Sequence, residues 1–210
     1  MKQQRLESLA DGIFAIVMTL LVLEIRIPEV HYYSEVAILD GIINNKALYL
    51  SYLLSFVMLF TYWRSHHFVT SIFAKNLDNT LSNINAIFLF LIAFVPYSSH
   101  LLGSYNESIV AVWVFSLHTI AIGLVLFWMR YYVDKSRTIE NSEITPVENR
   151  HAYARIFFPV LSAILCLIIA PINTAVALAI FTLGLFLNYA KRSTKIIFKI
   201  LGVFYTKWKE

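Results

Sequence analysis

The chain has 210 residues, of which 59% are hydrophobic and only 14% are charged, and its mean hydropathy is +0.67. Soluble domains average about 45–50% apolar and roughly 25% charged residues, so this composition excludes an ordinary soluble domain and a disordered chain. The single cysteine, Cys166, excludes an intrachain disulfide framework. The remaining class is an all-α integral membrane protein, and the length suits six transmembrane helices of roughly 20 residues.

Six continuous apolar runs are long enough to cross a bilayer as helices. They lie at residues 9–27, 47–68, 81–102, 109–133, 156–170 and 175–189. The last two are the shortest, and Pro171 and Asn173 between them predict a turn, because proline breaks a helix and asparagine favours a turn. The alternative is one kinked helix, which would be too long for a single crossing. Residues 1–190 are therefore expected to form one transmembrane domain.

The distribution of positive charge predicts the orientation. If both termini and the loops after the second and fourth runs share one side, that side carries 15 of the 17 Lys and Arg residues, and the other carries only Arg26 and Lys46. The positive-inside rule then places both termini of this multi-pass cell-membrane protein in the cytoplasm. Residues 191–210 are predicted to form a basic amphipathic helix that contacts membrane lipids or extends the sixth run. The net charge of +4 does not indicate a nucleic-acid partner.

The first run differs from the others because it carries polar and ionisable residues. Asp11 lies near its inner end, Glu24 near its outer end and Thr19 between them. At about 100° per residue, one arc of this helix carries small and apolar residues together with the threonine: Gly12, Ile16, Thr19, Leu20 and Leu23. Asp11 falls nearly opposite that arc, so it is expected to point into its own subunit and to need a polar partner there.

The candidate partners of Asp11 are polar residues at the inner ends of the second and third runs: Trp63, His66, His67, Asn83 and Asn85. Two interpretations are open. Either these side chains only tie helices together, or they form a network that sets the tilt of the first helix and shifts when a channel opens. In the second case His67 would make the network sensitive to pH. His118, about ten residues into the fourth run, is expected near the middle of the membrane as a neutral side chain bonded to a neighbouring helix.

This pattern resembles the signature of the transmembrane protein 175 family of cation channels, which runs from Arg through three residues to Phe-Ser-Asp and an apolar helix. The matching residues here are Arg5, Leu9, Ala10 and Asp11, then Trp63 with His66 and His67, and Asn85 in the run that leads to Pro96. Leu9 and Ala10 replace the family Phe and Ser, and the lost hydroxyl predicts a rearranged or weaker network around Asp11. The six-run layout agrees with the single-repeat prokaryotic members of the family.

The resemblance implies a homotetramer in which the first helix of each subunit lines a central pore that prefers potassium. The apolar constriction and the threonine layer of the family fall on Ile16, Leu20, Leu23 and Thr19. Rings of Ile and Leu offer an ion no ligands, so a narrow ring blocks by dewetting. The sequence has no TVGYG-like filter. Negative charge that would attract cations to the outer mouth is supplied by Glu24, Glu29, Glu35 and Asp40.

Two other functions stay open on the residues alone. A secondary or proton-coupled cation transporter would show inverted repeats and polar groups at the membrane midplane, where only Thr19 and His118 are expected. A non-conducting scaffold would pack Ile16 and Leu20 tightly into a helix interface. The sequence has no enzyme motif, nucleotide fingerprint or metal-ligand spacing, so we expect no enzymatic activity and no metal or cofactor apart from permeant potassium ions.

Overall fold

The structure of the protein is a computed structural model that describes residues 3–26, 34–136, 138–139, 141 and 145–188, with the backbone alone at 146–148, 150 and 151. The described residues form eight α-helices and no strand, so the all-helical prediction is confirmed for them. The helices are α1 (Gln3–Leu20), α2 (Glu35–Asn44), α3 (Lys46–His67), α4 (Asn79–Ala93), α5 (Val95–Ser104), α6 (Ile109–Lys135), α7 (Pro146–Ile169) and α8 (Thr174–Leu187). The basic tail predicted at 191–210 lies outside the described residues.

Four helical segments of the described residues are long and apolar enough to cross a membrane: Gln3–Glu24, Asn79–Ser104, Ile109–Lys135 and Ala152–Ile169. A fifth results if α2 and Lys46–Phe73, which are bent by 45° at their junction, count as one span. The α8 helix is apolar but has only 14 residues. All six predicted runs are therefore mainly helical where they are described, whereas six membrane crossings stay a prediction.

Two helices depart from the predicted boundaries. The α2 helix is missing from the prediction because its ten residues include Glu35 and Asp40 and form too short an apolar run. The α7 helix begins at Pro146 instead of residue 156, because proline is well tolerated in a first turn and the polar residues before the apolar part continue the helix. The predicted turn before α8 is confirmed: the Asn173 side chain caps α8 by accepting a hydrogen bond of 3.0 Å from Val176 N.

The α1 helix lies against α3, α4 and α5 with one face and leaves the other face uncovered. Its buried face consists of apolar side chains three or four positions apart, the spacing of one helical stripe: Leu6, Ala10, Phe14, Val17 and Leu21. The Phe14 ring packs against the rings of His66 and Phe88, at centroid distances of 6.2 and 6.0 Å. The chain then tightens into a 3-10 turn at Leu21–Glu24. Apolar packing thus holds α1 along one stripe, and Gln3 Nε2 also donates to Thr70 O at 2.5 Å and to Ala74 O at 3.1 Å.

The α6, α7 and α8 helices form a closely packed group. A Cβ added to Gly123 of α6 would come within 2.1 Å of Val160 Cγ2 on α7. A Cβ added to Gly184 of α8 would come within 2.0 Å of Ser162 Oγ, also on α7. Small residues let helices in a membrane approach closely, and packing is a main source of their association. These two glycines therefore set the distance of α7 from both of its neighbours.

A break between α4 and α5 interrupts the third apolar run at Phe94. Pro96 follows in the first turn of α5 and has no N–H to continue the helical ladder. His118 of α6 lies beside the break: its Nε2 donates to Leu91 O at 3.0 Å, and the Ser98 hydroxyl oxygen lies 2.8 Å from its Nδ1. The prediction that His118 bonds a neighbouring helix is confirmed, and it binds to both sides of the break.

Candidate ion pathway on the first helix

The uncovered face of α1 is the arc predicted from the helical period. The exposed fraction is 59% for Ile16, 42% for Leu20 and 70% for Leu23. Gly12 lies on the same side, and a Cβ added there would meet no other atom within 4 Å. No contact within the described residues therefore packs this face tightly, and whether it lines a pore stays a prediction.

Thr19 is the polar member of this face. Its hydroxyl points to carbonyls of its own helix, with Oγ1 3.0 Å from Ala15 O and 2.8 Å from Ile16 O. This back-bonding uses the hydroxyl hydrogen, so the oxygen presents lone pairs away from the helix. An exposed acceptor oxygen of this kind is a ligand that a cation can use, unlike the neighbouring isoleucine and leucine side chains.

Asp11 has a partner within its own chain. Trp63 Nε1 donates to Asp11 Oδ1 at 2.8 Å, which joins α1 to the last turns of α3. The Trp63 ring stacks on His67, with centroids 6.2 Å apart and planes at 22°, and also packs against Phe60. The predicted direction of Asp11 is therefore confirmed, and Trp63 is the candidate that holds it.

The other candidates form no hydrogen bond with Asp11 within the described residues, and whether all of them act as one network stays a prediction. His66 and Asn85 form a separate buried pair, with Nε2 and Oδ1 2.6 Å apart, between α3 and α4. His67 is exposed, its ring contacts Trp63 and Phe68, and its Nδ1 lies 3.2 Å from Ser71 Oγ. Asn83 is exposed as well.

The buried pair is fixed by an aromatic ring. His66 stacks on Phe88 with centroids 5.0 Å apart and planes 5° from parallel. Within the described part of the chain, the Asn85 Nδ2 group is buried without a hydrogen-bond partner. Arg5, the first residue of the signature, is exposed and has no hydrogen bond or ion pair with any described residue. The signature thus divides into the Asp11–Trp63 tie, the His66–Asn85 pair and an unengaged arginine.

Comparison with known proteins finds similar channels. The model of a family described as endosomal/lysosomal potassium channel TMEM175 matches residues 5–96. A protein from Chamaesiphon minutus, named a potassium channel, is 34% identical over 124 residues, which are 58% of this chain and 61% of that protein. A protein of the same description from Streptomyces collinus is 32% identical over 131 residues, 59% of this chain and 62% of that protein. The chain thus spans about three fifths of the length of these relatives.

A solved structure extends the likeness to nearly the whole fold. The crystal structure of a lysosomal potassium-selective channel TMEM175 homolog from Chamaesiphon minutus matches with a TM-score of 0.76 and 26% identity, over 91% of this chain and 97% of that chain. The chain is thus similar to the TMEM175 family over residues 5–96, and to a TMEM175 homolog in fold over most of its length. The family match ends at Pro96, so it includes the signature residues and leaves α6, α7 and α8 to the structural likeness.

The outer end of the α1 segment is held by a contact that the sequence does not predict. Glu24 Oε2 lies 2.9 Å from His100 Nδ1 on α5, at contact distance but without the alignment of a hydrogen bond. Both side chains are about one-third exposed. Glu24 thus has a histidine neighbour within the subunit, while its role as charge at an outer mouth stays a prediction. Of the other predicted acids, Glu35 and Asp40 lie on α2.

Arg130, near the end of α6, is a buried charge whose structural role the sequence does not reveal. In the sequence it is only one of the positive charges that predict the orientation in the membrane. Its side chain is fully buried. Its Nη2 and Nε donate to Asn149 Oδ1 at 2.5 and 3.2 Å, and Nη2 lies 3.5 Å from Asp134 Oδ1. The guanidinium lies 4.1 Å from the centroid of the Phe73 ring. Arg130 thus joins α6, the start of α7 and the π-helical turn Phe68–Phe73 that follows α3.

The tie between Asp11 and Trp63 gives a first prediction. We expect Trp63→Phe to lower the free energy of unfolding by about 1 kcal/mol, because it removes one hydrogen bond and keeps an aromatic ring against Phe60. Calorimetric unfolding of the detergent-solubilised protein measures the change. Asp11→Asn is the matched variant, since an amide oxygen still accepts from Trp63 and the loss should be smaller. A larger loss for Asp11→Asn would contradict the assignment.

Proposed function

We propose that the protein is a potassium-preferring cation channel that assembles as a homotetramer in the cell membrane, with α1 of each subunit around a central pore. Each subunit crosses the membrane six times and both termini face the cytoplasm, as the distribution of Lys and Arg predicts. The proposed narrow part is formed by Ile16, Leu20 and Leu23, with Thr19 beside it. Potassium is the permeant cargo, and the channel works without a cofactor.

The observation that carries this proposal is the uncovered apolar face of α1 with a single hydroxyl in it. Three large apolar side chains on this face are 42–70% exposed, while the opposite face of the same helix is buried. In a membrane, such an apolar face can lie against a second subunit, against lipid or along a dewetted pore. Closed rotational symmetry around one helix brings four copies of the face together. The TMEM175 family match over α1, α3 and α4 supports the pore over the other two surroundings.

The proposed gate is a hydrophobic constriction. Ile16 and Leu20 are one helical turn apart, so their rings would lie about 6 Å apart along the pore. A narrow ring of hydrocarbon excludes water and therefore ions, and it conducts once it is wide enough to hold water. Tilt or rotation of α1 provides that widening, because the subunit holds α1 by one buried stripe and by polar contacts that include those of Asp11 and Glu24. The Thr19 oxygens then face the partly hydrated ion.

Reconstituted flux tests the proposal. The purified full chain is placed in liposomes, and efflux driven by a potassium gradient is compared with efflux driven by an equal sodium gradient. We expect passive, non-saturating flux that is faster for potassium. Liposomes without protein and liposomes with heat-inactivated protein are the controls.

The same experiment separates the two alternative functions. Saturating exchange that requires a second ion or a proton gradient would indicate a secondary transporter and would contradict the channel. Absence of flux for both cations, in vesicles of several lipid compositions, would indicate a non-conducting scaffold. Equal permeability to potassium and sodium would be consistent with a channel but would refute its proposed preference for potassium.

A further inference from the structure

A polar cleft lies at one end of the helix bundle, away from α1. It is formed where α3, α7 and the residue that follows α8 meet, and its lining consists of Thr61, Arg64, Ser65, Arg155 and Asn188. The described lining contains two guanidinium groups and no carboxylate. The pore proposed above uses none of these five residues.

The two arginines are held in the cleft by the fold. Arg155 lies near the start of the apolar part of α7, and its guanidinium lies 5.1 Å from the centroid of the Phe68 ring. Arg64 comes from the last turn of α3 and lines the same cleft as Arg155. Asn188 Nδ2 approaches Arg155 O at 3.5 Å and so joins the end of α8 to α7. Two like charges therefore share one small opening, and their repulsion falls when an anion binds between them.

The other lining groups leave the guanidiniums as the main donors. Thr61 and Ser65 are buried, and their hydroxyls donate to Val57 O at 2.8 Å and to Thr61 O at 3.0 Å within α3. A guanidinium has five N–H groups in a planar fork, which fits two oxygens of a phosphate at once. The chemistry of the cleft is thus that of a site for an oxyanion.

The position of the cleft along the helix bundle suggests where the anion comes from. It lies where the apolar part of α8 ends and the sequence continues to Lys191 and Arg192. This is the side that carries most of the positive charge, and its predicted cytoplasmic orientation would place it at the leaflet that holds anionic lipids. A lipid headgroup can enter from the side of the bundle, and free phosphate can enter from the solvent.

We propose that the cleft between Arg64 and Arg155 binds a phosphate group, either that of an anionic phospholipid or free inorganic phosphate. The phosphate lies between the two guanidiniums and replaces their mutual repulsion by charge-assisted hydrogen bonds. The site is independent of the proposed ion pathway, so a failure of the flux experiment leaves this proposal standing, and the reverse also holds.

Native mass spectrometry of the detergent-solubilised full chain tests the proposal. The probes are phosphatidylglycerol, phosphatidylcholine and inorganic phosphate. We expect phosphatidylglycerol or inorganic phosphate to bind more tightly than phosphatidylcholine, and Arg155→Gln and Arg64→Gln each to weaken that binding about tenfold. Lys75→Gln is the matched control, because Lys75 is an exposed cation outside the cleft, and it should change the affinity less than twofold.

Competition distinguishes the two sources. Displacement of phosphatidylglycerol by millimolar inorganic phosphate would assign the cleft to free phosphate, and retention of the lipid would assign it to the headgroup. The proposal is overturned if neither phosphatidylglycerol nor phosphate binds better than phosphatidylcholine, or if the glutamine variants bind as the parent does. If a glutamine variant does not fold, Arg155→Lys decides: it keeps the charge but loses the fork, and it should bind about threefold more weakly.

Discussion

Potassium flux through the reconstituted protein is expected to rise about tenfold or more when Ile16 is replaced by asparagine. A dewetted ring of isoleucine sets a barrier because the ion must leave its water without gaining a ligand. An amide in each subunit supplies a donor and an acceptor at the narrowest point, and a barrier lower by about 1.4 kcal/mol already gives a tenfold rate. The preference for potassium over sodium should fall at the same time, because hydrated ions of both kinds pass a wetted ring.

The matched control for this variant is Leu117→Asn. Leu117 is also an exposed apolar residue, at 56%, but it lies on α6, which has no part in the proposed pore. The same polar group is therefore introduced without entering the proposed pore. An unchanged flux for Ile16→Asn, or an equal rise for Leu117→Asn, would refute the assignment of the gate to the Ile16 face.

Replacing Arg130 by alanine is expected to lower the free energy of unfolding by about 3–5 kcal/mol, the range found when one partner of a buried ion pair is removed. The change leaves Asp134 and Asn149 without their cation, and it opens a space beside the Phe73 ring. Denaturant unfolding of the detergent-solubilised protein, followed by helical content, measures the loss.

Lys135→Ala is the control for Arg130→Ala, since it removes an exposed cation near the end of the same helix. Surface substitutions of this kind usually change stability by about 0.5 kcal/mol or less. Comparable losses for the two variants would show that position 130 contributes only through the charge of that end of α6. A loss confined to Arg130→Ala would support its role as the link between α6, α7 and the turn after α3.

The all-helical fold class was predictable because backbone N–H and C=O groups in a bilayer must form hydrogen bonds within the protein. Long runs of Leu, Ile, Phe and Val satisfy their peptide groups in a bilayer only as helices, so composition and run length suffice. The placement of Asp11 and Ile16 on opposite sides of α1 was predictable too, because it follows from the helical period alone. The α2 helix and the early start of α7 were not, since short or polar helices do not show in an apolar pattern.

The partners of the polar residues were predictable only in part. Trp63 and His67 are four residues apart and therefore lie on the same side of α3. Of these two, Trp63 forms a hydrogen bond with α1. His66 faces α4 instead and meets Asn85, a contact separate from the Asp11–Trp63 hydrogen bond. The contact of Glu24 with His100 depends on the tilt of α1 against α5, which no local pattern records. The direction of a side chain follows from its own helix, whereas its partner follows from how helices are placed.

The break at Phe94 has a consequence for how well the membrane is sealed. A helix interrupted in the bilayer leaves carbonyls that would otherwise draw in water, and a file of such waters is a leak for protons and small cations. His118, about 14 Å from the start of α6 by the helical rise, donates to Leu91 O, which also accepts from Phe94 N, and it contacts Ser98 beyond the break. Polar groups on both sides of the break therefore have partners within the subunit, and fewer of them are left to bind water.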